Sequence, residues 1–353
     1  MDLDRLDEHL TDLTAANRFS GVVRIEAADR LLFESAYGLA SPTWRVPNSS
    51  AIRFDTASIT KLFTAVATLQ QVEAGAFALD TAVVEYLGLT GTTLSAAITP
   101  YHLLTHTSGI ADDADEEDGE RYEDLFIERP NYSVVETEDH LDQFVFKPPR
   151  FAPGEGCRYN NVAYILLGLM VERATQLRYR EYVNERVFAP AGMDRSGFFR
   201  MDMVERDVAE GADPVVDANG QVSGWHRNVY SYPPVGSPDG GAHVTAADLA
   251  RFHTALRAGH LLGPESTAAM LTPKERYKRR GTGTHMTGYG FEFETDADGE
   301  VRFYWKEGIN VGASGALTFY PAGDVTSVVL SNMENGAWEP IKIIDRLVTS
   351  RAV

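Results

Sequence analysis

The chain has 353 residues, of which 44% are hydrophobic and 10% aromatic, so it is long enough to bury a large core as one domain or two. Its formal net charge of −19 disfavours nucleic acid and anionic membrane surfaces as partners, because both carry the same sign of charge. The single cysteine, Cys157, excludes an internal disulfide framework and a multi-cysteine metal site.

The first segment is acidic and amphipathic. Residues 2–16 carry leucines at helical spacing, and they lack the basic and apolar regions of an export signal. No apolar run in the chain approaches the length of a membrane span. We therefore expect a soluble, cytoplasmic protein, with an export signal removed before residue 1 as the alternative.

The patterns of residues 21–25 and 31–37 then predict two strands joined by a turn near Asp29.

A helix predicted from about residue 58 to 74 carries the most informative pair. Ser58 and Lys61 are three residues apart and share one helix face. A desolvated lysine can take the proton of a serine, and the unpaired N–H groups of a first helical turn favour negative charge beside it. The alternative is a capping serine with a solvated lysine. However, the chain holds only six lysines, and no other serine is followed by lysine three positions later.

Helical patterns are expected to dominate from here to about residue 260, including residues 163–174 and 245–257. The acidic run 112–124, with nine carboxylates in 13 residues, interrupts them. This composition predicts a solvated, mobile loop. The alternative is a negatively charged rim that favours cationic substrates. A calcium loop is disfavoured, because the spacing lacks the alternating ligands and turn glycine of an EF-hand.

Tyr159 and Asn161 stand where a glycine-rich loop opens an apolar helix. A tyrosine beside one or two lysines can have its pKa lowered, which would make the phenolate a base. The Asn161 amide could hold a lysine or a substrate carbonyl. The same Tyr-x-Asn spacing recurs at Tyr182, but inside a charged amphipathic helix at residues 178–187, where a packing role is expected. The loop-to-helix junction favours Tyr159 as the functional residue.

Strand patterns return after about residue 286. Strands are predicted at residues 288–294, 301–305, 316–320 and 325–331, with a closing helix at 338–351 and a surface loop at the basic segment 274–280. Lys306, Glu307 and Gly308 follow the second of these strands. A lysine at a strand end followed by glycine could offer a charge and a close-approach N–H group to a substrate; the alternative is an ordinary surface lysine.

Strands at both ends with helices between them predict an α+β fold. Residues 1–60 and 260–353 would form an antiparallel sheet with flanking helices, and residues 61–259 a mostly helical domain. The active site would occupy the cleft between the two parts.

In this order, the segments around Ser58, Tyr159 and Lys306 resemble the serine beta-lactamase superfamily, and within it the group of class C beta-lactamases, D-alanyl-D-alanine carboxypeptidases and related esterases. Further similar stretches are residues 45–48, 53–54, 102–110, 151–154, 190–193 and 240–252. The resemblance covers roughly residues 18–335. His102 and His106 belong to this signature as packing or capping residues, not as ligands.

The resemblance implies a beta-lactamase/transpeptidase-like sheet flanked by helices, with a mostly helical second domain. It also implies acyl transfer with Ser58 as nucleophile, with Lys61 and Tyr159 sharing the acid–base work. Asn161 would contact the substrate and Lys61, and the backbone N–H groups of Ser58 and Ile309 would form the oxyanion hole. No metal or organic cofactor is implied.

One position departs from the family pattern. Penicillin-recognising members usually carry serine or threonine where this chain has Glu307, and that hydroxyl helps to bind the substrate carboxylate. A glutamate facing the cleft would repel a carboxylate, and one facing away would leave the hydroxyl missing, so efficient binding of penicillin or of a D-Ala-D-Ala terminus is not expected. Lys306, Glu307 and Gly308 nevertheless remain candidate substrate contacts.

We therefore predict a serine hydrolase that acts on small esters or amides through an acyl-enzyme at Ser58, with carboxylesterase activity as the first choice. A beta-lactamase or a D-amino-acid peptidase or amidase is the nearest alternative. The alternative of another class is a non-catalytic member that keeps the fold for ligand binding.

Overall fold

A computed structural model describes residues 2–280 and 283–349 of the chain. The strands are β1 (Gly21–Ala27), β2 (Arg30–Tyr37), β3 (Leu39–Ser41), β4 (Val46–Pro47), β5 (Phe54–Asp55), β6 (Ala212–Val216), β7 (Val222–Arg227), β8 (His243–Val244), β9 (Glu275–Arg280), β10 (Gly283–Thr287), β11 (Glu292–Thr295), β12 (Val301–Asn310), β13 (Ala313–Tyr320) and β14 (Val325–Ser331). Over these described residues, eight strands form one antiparallel sheet in the order β2-β1-β14-β13-β12-β11-β10-β9.

Helices cover both faces of this sheet. The α-helices are α1 (Leu3–Ala15), α2 (Lys61–Glu73), α3 (Val83–Leu87), α4 (Pro100–Leu104), α5 (Val162–Thr175), α6 (Tyr179–Val183), α7 (Ala246–Arg257), α8 (Pro264–Met270) and α9 (Trp338–Thr349). Neighbouring side chains of a strand point to opposite faces, so Val22 joins the large core built on α2, α5 and α7. Val23 joins the smaller core under α1 and α9. The sequence-predicted α+β architecture, an antiparallel sheet flanked by helices, is confirmed.

Several predicted elements are confirmed with small shifts at their ends. The N-terminal helix, the first hairpin and the strand at residues 325–331 form as expected. The hairpin turn lies at Ala28 and Asp29, both with positive φ. The closing helix is described to Thr349, and the last two residues predicted for it, 350 and 351, lie outside the described residues.

Two predictions in the C-terminal third were wrong. The basic segment 274–280 is not a loop: its residues 275–280 form the edge strand β9, where Arg276 pairs with Met286 of β10. Lysine and arginine are common on edge strands because their charge discourages pairing with another chain. Residues 288–291 form a turn instead of the start of a strand, since Gly290 takes a φ of 88°.

The middle of the chain is less helical than expected. Residues 212–227 form the hairpin β6-β7, and short 3₁₀ helices with irregular segments occupy most of residues 112–143. Side-chain hydrogen bonds that hydrophobic periodicity cannot predict hold these segments in place. For example, Asn131 Nδ2 donates to the Val229 and Tyr232 carbonyl oxygens. The domain boundaries at residues 60 and 260 remain predictions. In the part of the chain that the structure describes, no helix has the length and apolar character of a membrane span.

Candidate active site

Ser58 lies in a tight turn at the start of α2. Ala57–Thr60 form a 3₁₀ turn, and the α-helix begins at Lys61, three residues later than the sequence pattern suggested. Ala57 takes the left-handed φ of 42°, a strained conformation for a residue with a side chain. Asp55 stabilises this turn, because its Oδ1 accepts a 2.7 Å hydrogen bond from the Ala57 N–H. The Ser58 side chain is thereby presented to the cleft and remains partly exposed.

Lys61 is fully buried behind Ser58. Its Nζ lies 3.0 Å from Ser58 Oγ, 2.8 Å from Asn161 Oδ1 and 2.6 Å from the Asp239 carbonyl oxygen. Burial lowers the pKa of Lys61 from 10.5 to about 8; Asp239 opposes this shift and Lys306 adds to it. An uncharged Lys61 can donate to Asn161 and Asp239 and turn its lone pair to the Ser58 hydroxyl, which is the arrangement a general base needs.

Tyr159 contacts Ser58 from the opposite side. Its hydroxyl lies 2.7 Å from Ser58 Oγ, and its ring is 5.1 Å from Lys61 Nζ and 4.8 Å from Lys306 Nζ. The expectation that these lysines lower the tyrosine pKa was wrong. Burial raises the pKa of Tyr159 well above 10, and nearby carboxylates, Glu116 foremost, act in the same direction. Tyr159 is therefore held in its protonated form, and Lys61 is the group closer to losing its proton near neutral pH.

Asn161 is held at the N-terminus of α5 by the acidic run. The Asp112 carboxylate accepts from the Asn161 N–H at 2.9 Å and from the Val162 N–H at 3.1 Å. A carboxylate at this position satisfies N–H groups that lack intrahelical partners and complements the helix dipole. The Asp112 carboxylate and helix α5 together orient the Asn161 amide towards Lys61.

The prediction of a solvated, mobile loop at residues 112–124 was therefore wrong for its first part. Asp112, Asp113 and Asp115 are buried, and Asp115 pairs with Arg150 and Arg158. Burial, reinforced by the neighbouring Asp112 charge, raises the pKa of Asp113 well above its usual range. Only the later carboxylates of the run, from Glu116 onward, are exposed or partly exposed.

The two histidines of the sequence signature are packing and capping residues, as predicted. His102 Nδ1 lies 3.0 Å from Thr99 Oγ1 and completes the capping box of α4. His106 accepts from the Asn160 N–H through Nδ1 and packs against Tyr159, with their ring centroids 4.8 Å apart and the rings tilted by 34°. The Tyr182 hydroxyl bonds Gln70 and Gln71 in the core, which confirms its packing role.

Strand β12 does not end at Lys306 but runs through the whole motif to Asn310. Glu307 pairs with Ala316, Gly308 with Gly315 and Ile309 with Ser314 of β13. Gly308 is required by close packing: a Cβ atom there would lie 2.8 Å from the Ser58 nitrogen and closer still to the Thr56 carbonyl oxygen. The sequence pattern alone could not distinguish a glycine that ends a strand from one that lets a strand approach another backbone.

Ser58 separates two halves of the cleft. The apolar half has a volume of about 50 Å³ and is so named for Phe199, Met201, Tyr232, Pro233, Pro234 and Val235; Asp55, Asn161, Asp239 and His243 also line it. The charged half has a volume of about 250 Å³, and its charged and phenolic lining includes Glu116, Glu117, Tyr159, Lys278, Glu292, Lys306 and Glu307. Ser58, Glu116 and Ile309 line both halves.

Sequence reasoning missed several residues of this cleft. Asp112 was visible only as part of an acidic run, and Glu292 carried no local signal, because its role depends on strand register. The aromatic residues of the apolar half lie in segments without a recognisable pattern. Among the described residues, no group of three or more His, Cys, Asp or Glu side chains is arranged to hold a metal ion.

The arrangement has a counterpart in a known family. The beta-lactamase family profile matches residues 6–347, nearly the whole chain. The chain belongs to the beta-lactamase family. Within it, esterase EstB of Burkholderia gladioli is 30% identical over 310 residues, covering 82% of this chain and 78% of that esterase. Penicillin-binding protein 4* of Bacillus subtilis (strain 168) is 24% identical over 273 residues, which are 73% of this chain but only 56% of that protein.

A solved structure shows the same fold. A penicillin-binding protein from Bacillus halodurans superimposes with a TM-score of 0.88 at 35% identity, covering 96% of this chain and 100% of that chain. Family, relatives and fold agree that this member of the beta-lactamase family is a serine hydrolase.

The depressed pKa of Lys61 leads to a pH prediction. If uncharged Lys61 is the base for Ser58, kcat/KM for a neutral ester should rise with pH through about 8 and then reach a plateau, because the deprotonated fraction grows as pH rises. No falling limb should appear before pH 10, since Tyr159 titrates well above that value. Initial rates between pH 6 and 10, with circular dichroism at each pH as a folding control, would check this. A pH-independent rate would rule out Lys61 as the titrating base.

Proposed function

We propose that this serine hydrolase cleaves small carboxylic esters, and more slowly amides, through an acyl-enzyme at Ser58. One observation carries the proposal: Ser58 Oγ lies within hydrogen-bond distance of both the buried Lys61 Nζ, at 3.0 Å, and the Tyr159 hydroxyl, at 2.7 Å. A nucleophile between a base of depressed pKa and a protonated phenol is the arrangement that acyl transfer needs.

In the proposed reaction, Lys61 takes the Ser58 proton as Oγ attacks the substrate carbonyl carbon. The backbone N–H groups of Ser58 and Ile309 stabilise the tetrahedral oxyanion, a contribution of several kcal/mol in comparable sites. Tyr159 protonates the leaving oxygen or nitrogen as the bond to the acyl carbon breaks, and the proton held on Lys61 restores the phenol. Water then attacks the acyl-enzyme with the same groups acting in reverse, which regenerates Ser58.

Two observations favour esters over beta-lactams and D-Ala-D-Ala peptides. Glu307 is exposed and lines the charged half, so it places a negative charge where penicillin-recognising relatives use a hydroxyl. EstB, the relative that is 30% identical, is named as an esterase. A second candidate, an amidase acting on substrates with a free amine, is favoured by the exposed Glu116 carboxylate beside Ser58.

A panel of three substrate types would test the assignment. We expect measurable turnover of p-nitrophenyl acetate and butyrate, with kcat/KM at least about a hundredfold above that for nitrocefin, because the charged half repels the nitrocefin carboxylate. D-Phenylalanine amide and its L-isomer test the amidase candidate. Preferred hydrolysis of nitrocefin or of the D-amide would replace the esterase assignment, and no turnover of any substrate by folded protein would favour the non-catalytic alternative.

A further inference from the structure

Lys306 of β12 forms an ion pair with a carboxylate of the protein itself. Lys306 is 1% exposed, and its Nζ donates to Glu292 Oε1 at 3.0 Å. The pairing follows from strand register: Glu292 of β11 lies opposite Trp305 of β12, next to the lysine. A cation that is buried and paired in this way offers much less attraction to a substrate anion than a free ammonium would.

Glu292 is held in its charged form from two sides. Its Oε2 lies 2.7 Å from His285 Nε2, so a lysine and a histidine flank one carboxylate. Burial alone would raise the pKa of Glu292, but Lys306 and the hydrogen bond from His285 outweigh it and lower the pKa well below its usual range. The carboxylate therefore stays ionised and neutralises Lys306 across the working pH range.

The rest of the charged half is negative. Glu116, Glu117 and Glu307 are exposed carboxylates on its wall, and Lys278 is the remaining lysine among the described residues that line it. Glu117 lies 3.6 Å from Arg158, so Glu116 and Glu307 contribute most to the negative charge. His285 also lines this half; it is 4% exposed, and its Nδ1 has no hydrogen-bond partner within the described chain.

The leaving group of the proposed reaction belongs in this half. Tyr159 lines the charged half, and a leaving oxygen or nitrogen must approach the Tyr159 hydroxyl to receive a proton. The acyl group is then directed to the apolar half, where Phe199 and Tyr232 offer an apolar surface. The Glu292–Lys306 pair therefore lies where it interacts electrostatically with any charge on the leaving group.

We propose that Glu292 is a positioning residue that sets substrate class: by neutralising Lys306, it makes the charged half accept neutral and cationic leaving groups and exclude anionic ones. The inference rests on the proposed function, since it concerns the leaving group of the Ser58 reaction. The favoured substrates are esters of an apolar acid with an uncharged or amine-bearing alcohol.

Three aryl butyrates of similar size test this proposal. The leaving groups are a neutral 3-tert-butylphenol, the cationic 3-(trimethylammonio)phenol and the anionic 3-hydroxybenzoate, and the readout is kcat/KM for each relative to the neutral ester, which corrects for general loss of activity. For the unaltered protein we expect the cationic ester to match or exceed the neutral one, and the anionic ester to fall at least about tenfold below it.

Charge variants of the Glu292–Lys306 pair then distinguish an effect on substrate specificity from a general effect on the folded structure. Glu292→Gln leaves Lys306 as an uncompensated cation, so the anionic-to-neutral ratio should rise about tenfold. Lys306→Met removes the ammonium that balances Glu292 and leaves this carboxylate with its His285 hydrogen bond, so the ratio should fall further. The double variant should return the ratio toward the starting value. Glu300→Gln, an exposed glutamate in the turn before β12, makes the same charge change away from the cleft and should leave the ratio unchanged.

Two outcomes overturn the proposal. If Glu292→Gln lowers kcat/KM for all three esters by the same factor, Glu292 has a structural role only. If the unaltered protein hydrolyses the anionic ester as well as the neutral one, the charged half does not select by charge. Thermal unfolding of each variant shows that it is folded, and failure of the unaltered protein on the neutral ester would instead count against the proposed function.

Discussion

Replacing Ser58 with alanine should lower ester turnover by about ten-thousandfold and abolish covalent labelling by a fluorophosphonate probe. The reason is that Ser58 Oγ, which bonds both Lys61 and Tyr159, is the proposed nucleophile, and alanine has no group that could replace it. Lys61→Met should cost about 10²- to 10⁴-fold in kcat/KM, because it removes the base while keeping similar bulk in a fully buried site. Intact-protein mass spectrometry after labelling, together with steady-state kinetics, measures both effects.

Matched controls distinguish these losses from unfolding. Ser50→Ala and Lys342→Met make the same chemical changes at exposed positions and should retain activity and labelling. Circular dichroism should show that the Ser58 and Lys61 variants remain folded. Retained turnover in Ser58→Ala would refute the mechanism. A folded, unaltered protein that neither labels nor turns over esters would favour a ligand-binding role for the fold.

Gly308→Ala should be the most damaging single-methyl change in the cleft. The added Cβ would lie 2.8 Å from the Ser58 nitrogen, so either β12 or the 3₁₀ turn that carries Ser58 must move. Either movement displaces an N–H group of the proposed oxyanion hole, for which we expect a loss of about 10²- to 10³-fold in kcat. Overpacking should also lower the free energy of unfolding by about 1–3 kcal/mol. Kinetics and urea denaturation measure the two effects separately.

Gly224→Ala is the control for this change. Gly224 lies in β7, and a Cβ atom there meets no heavy atom within 4 Å, so stability and activity should stay close to those of the unaltered protein. If Gly308→Ala keeps full activity, β12 does not hold the Ser58 turn as tightly as the packing indicates, and Ile309 would lose its proposed place in the oxyanion hole.

Local spacing accounts for the predicted contact between Ser58 and Lys61. Ser58 and Lys61 are neighbours along one helical turn, so three residues of separation suffice to bring Lys61 Nζ to 3.0 Å from Ser58 Oγ. Tyr159 and Asn161 were found by their position at a loop-to-helix junction and by their order along the chain. Their contacts with Ser58 and Lys61 span about a hundred residues, which no periodicity reveals.

The predictions that were wrong share one cause: each depends on burial or on pairing between distant segments, which local patterns do not show. The acidic run was read as a solvated loop because composition shows charge but not burial, whereas Asp112 in fact caps α5 and Asp115 pairs with two arginines. The pKa of Tyr159 was expected to fall because nearby lysines favour the charged phenolate. Burial disfavours that charged form more strongly, so the pKa of Tyr159 is raised instead. The edge strand β9 was missed because a partner strand is needed to recognise an edge.

By itself, then, the sequence determined the fold class, the proximity of Ser58 and Lys61, and the unusual Glu307, since these depend on residue identity and short-range spacing. The tertiary structure alone decided which lysine is buried without a carboxylate partner and which is paired. Lys61 and Lys306 are both buried, but only Lys306 has a carboxylate, Glu292, at 3.0 Å. Burial without such a partner lowers the pKa of Lys61 to about 8. Whether a charge is paired depends on strand register and on contacts between distant segments, which local patterns do not encode.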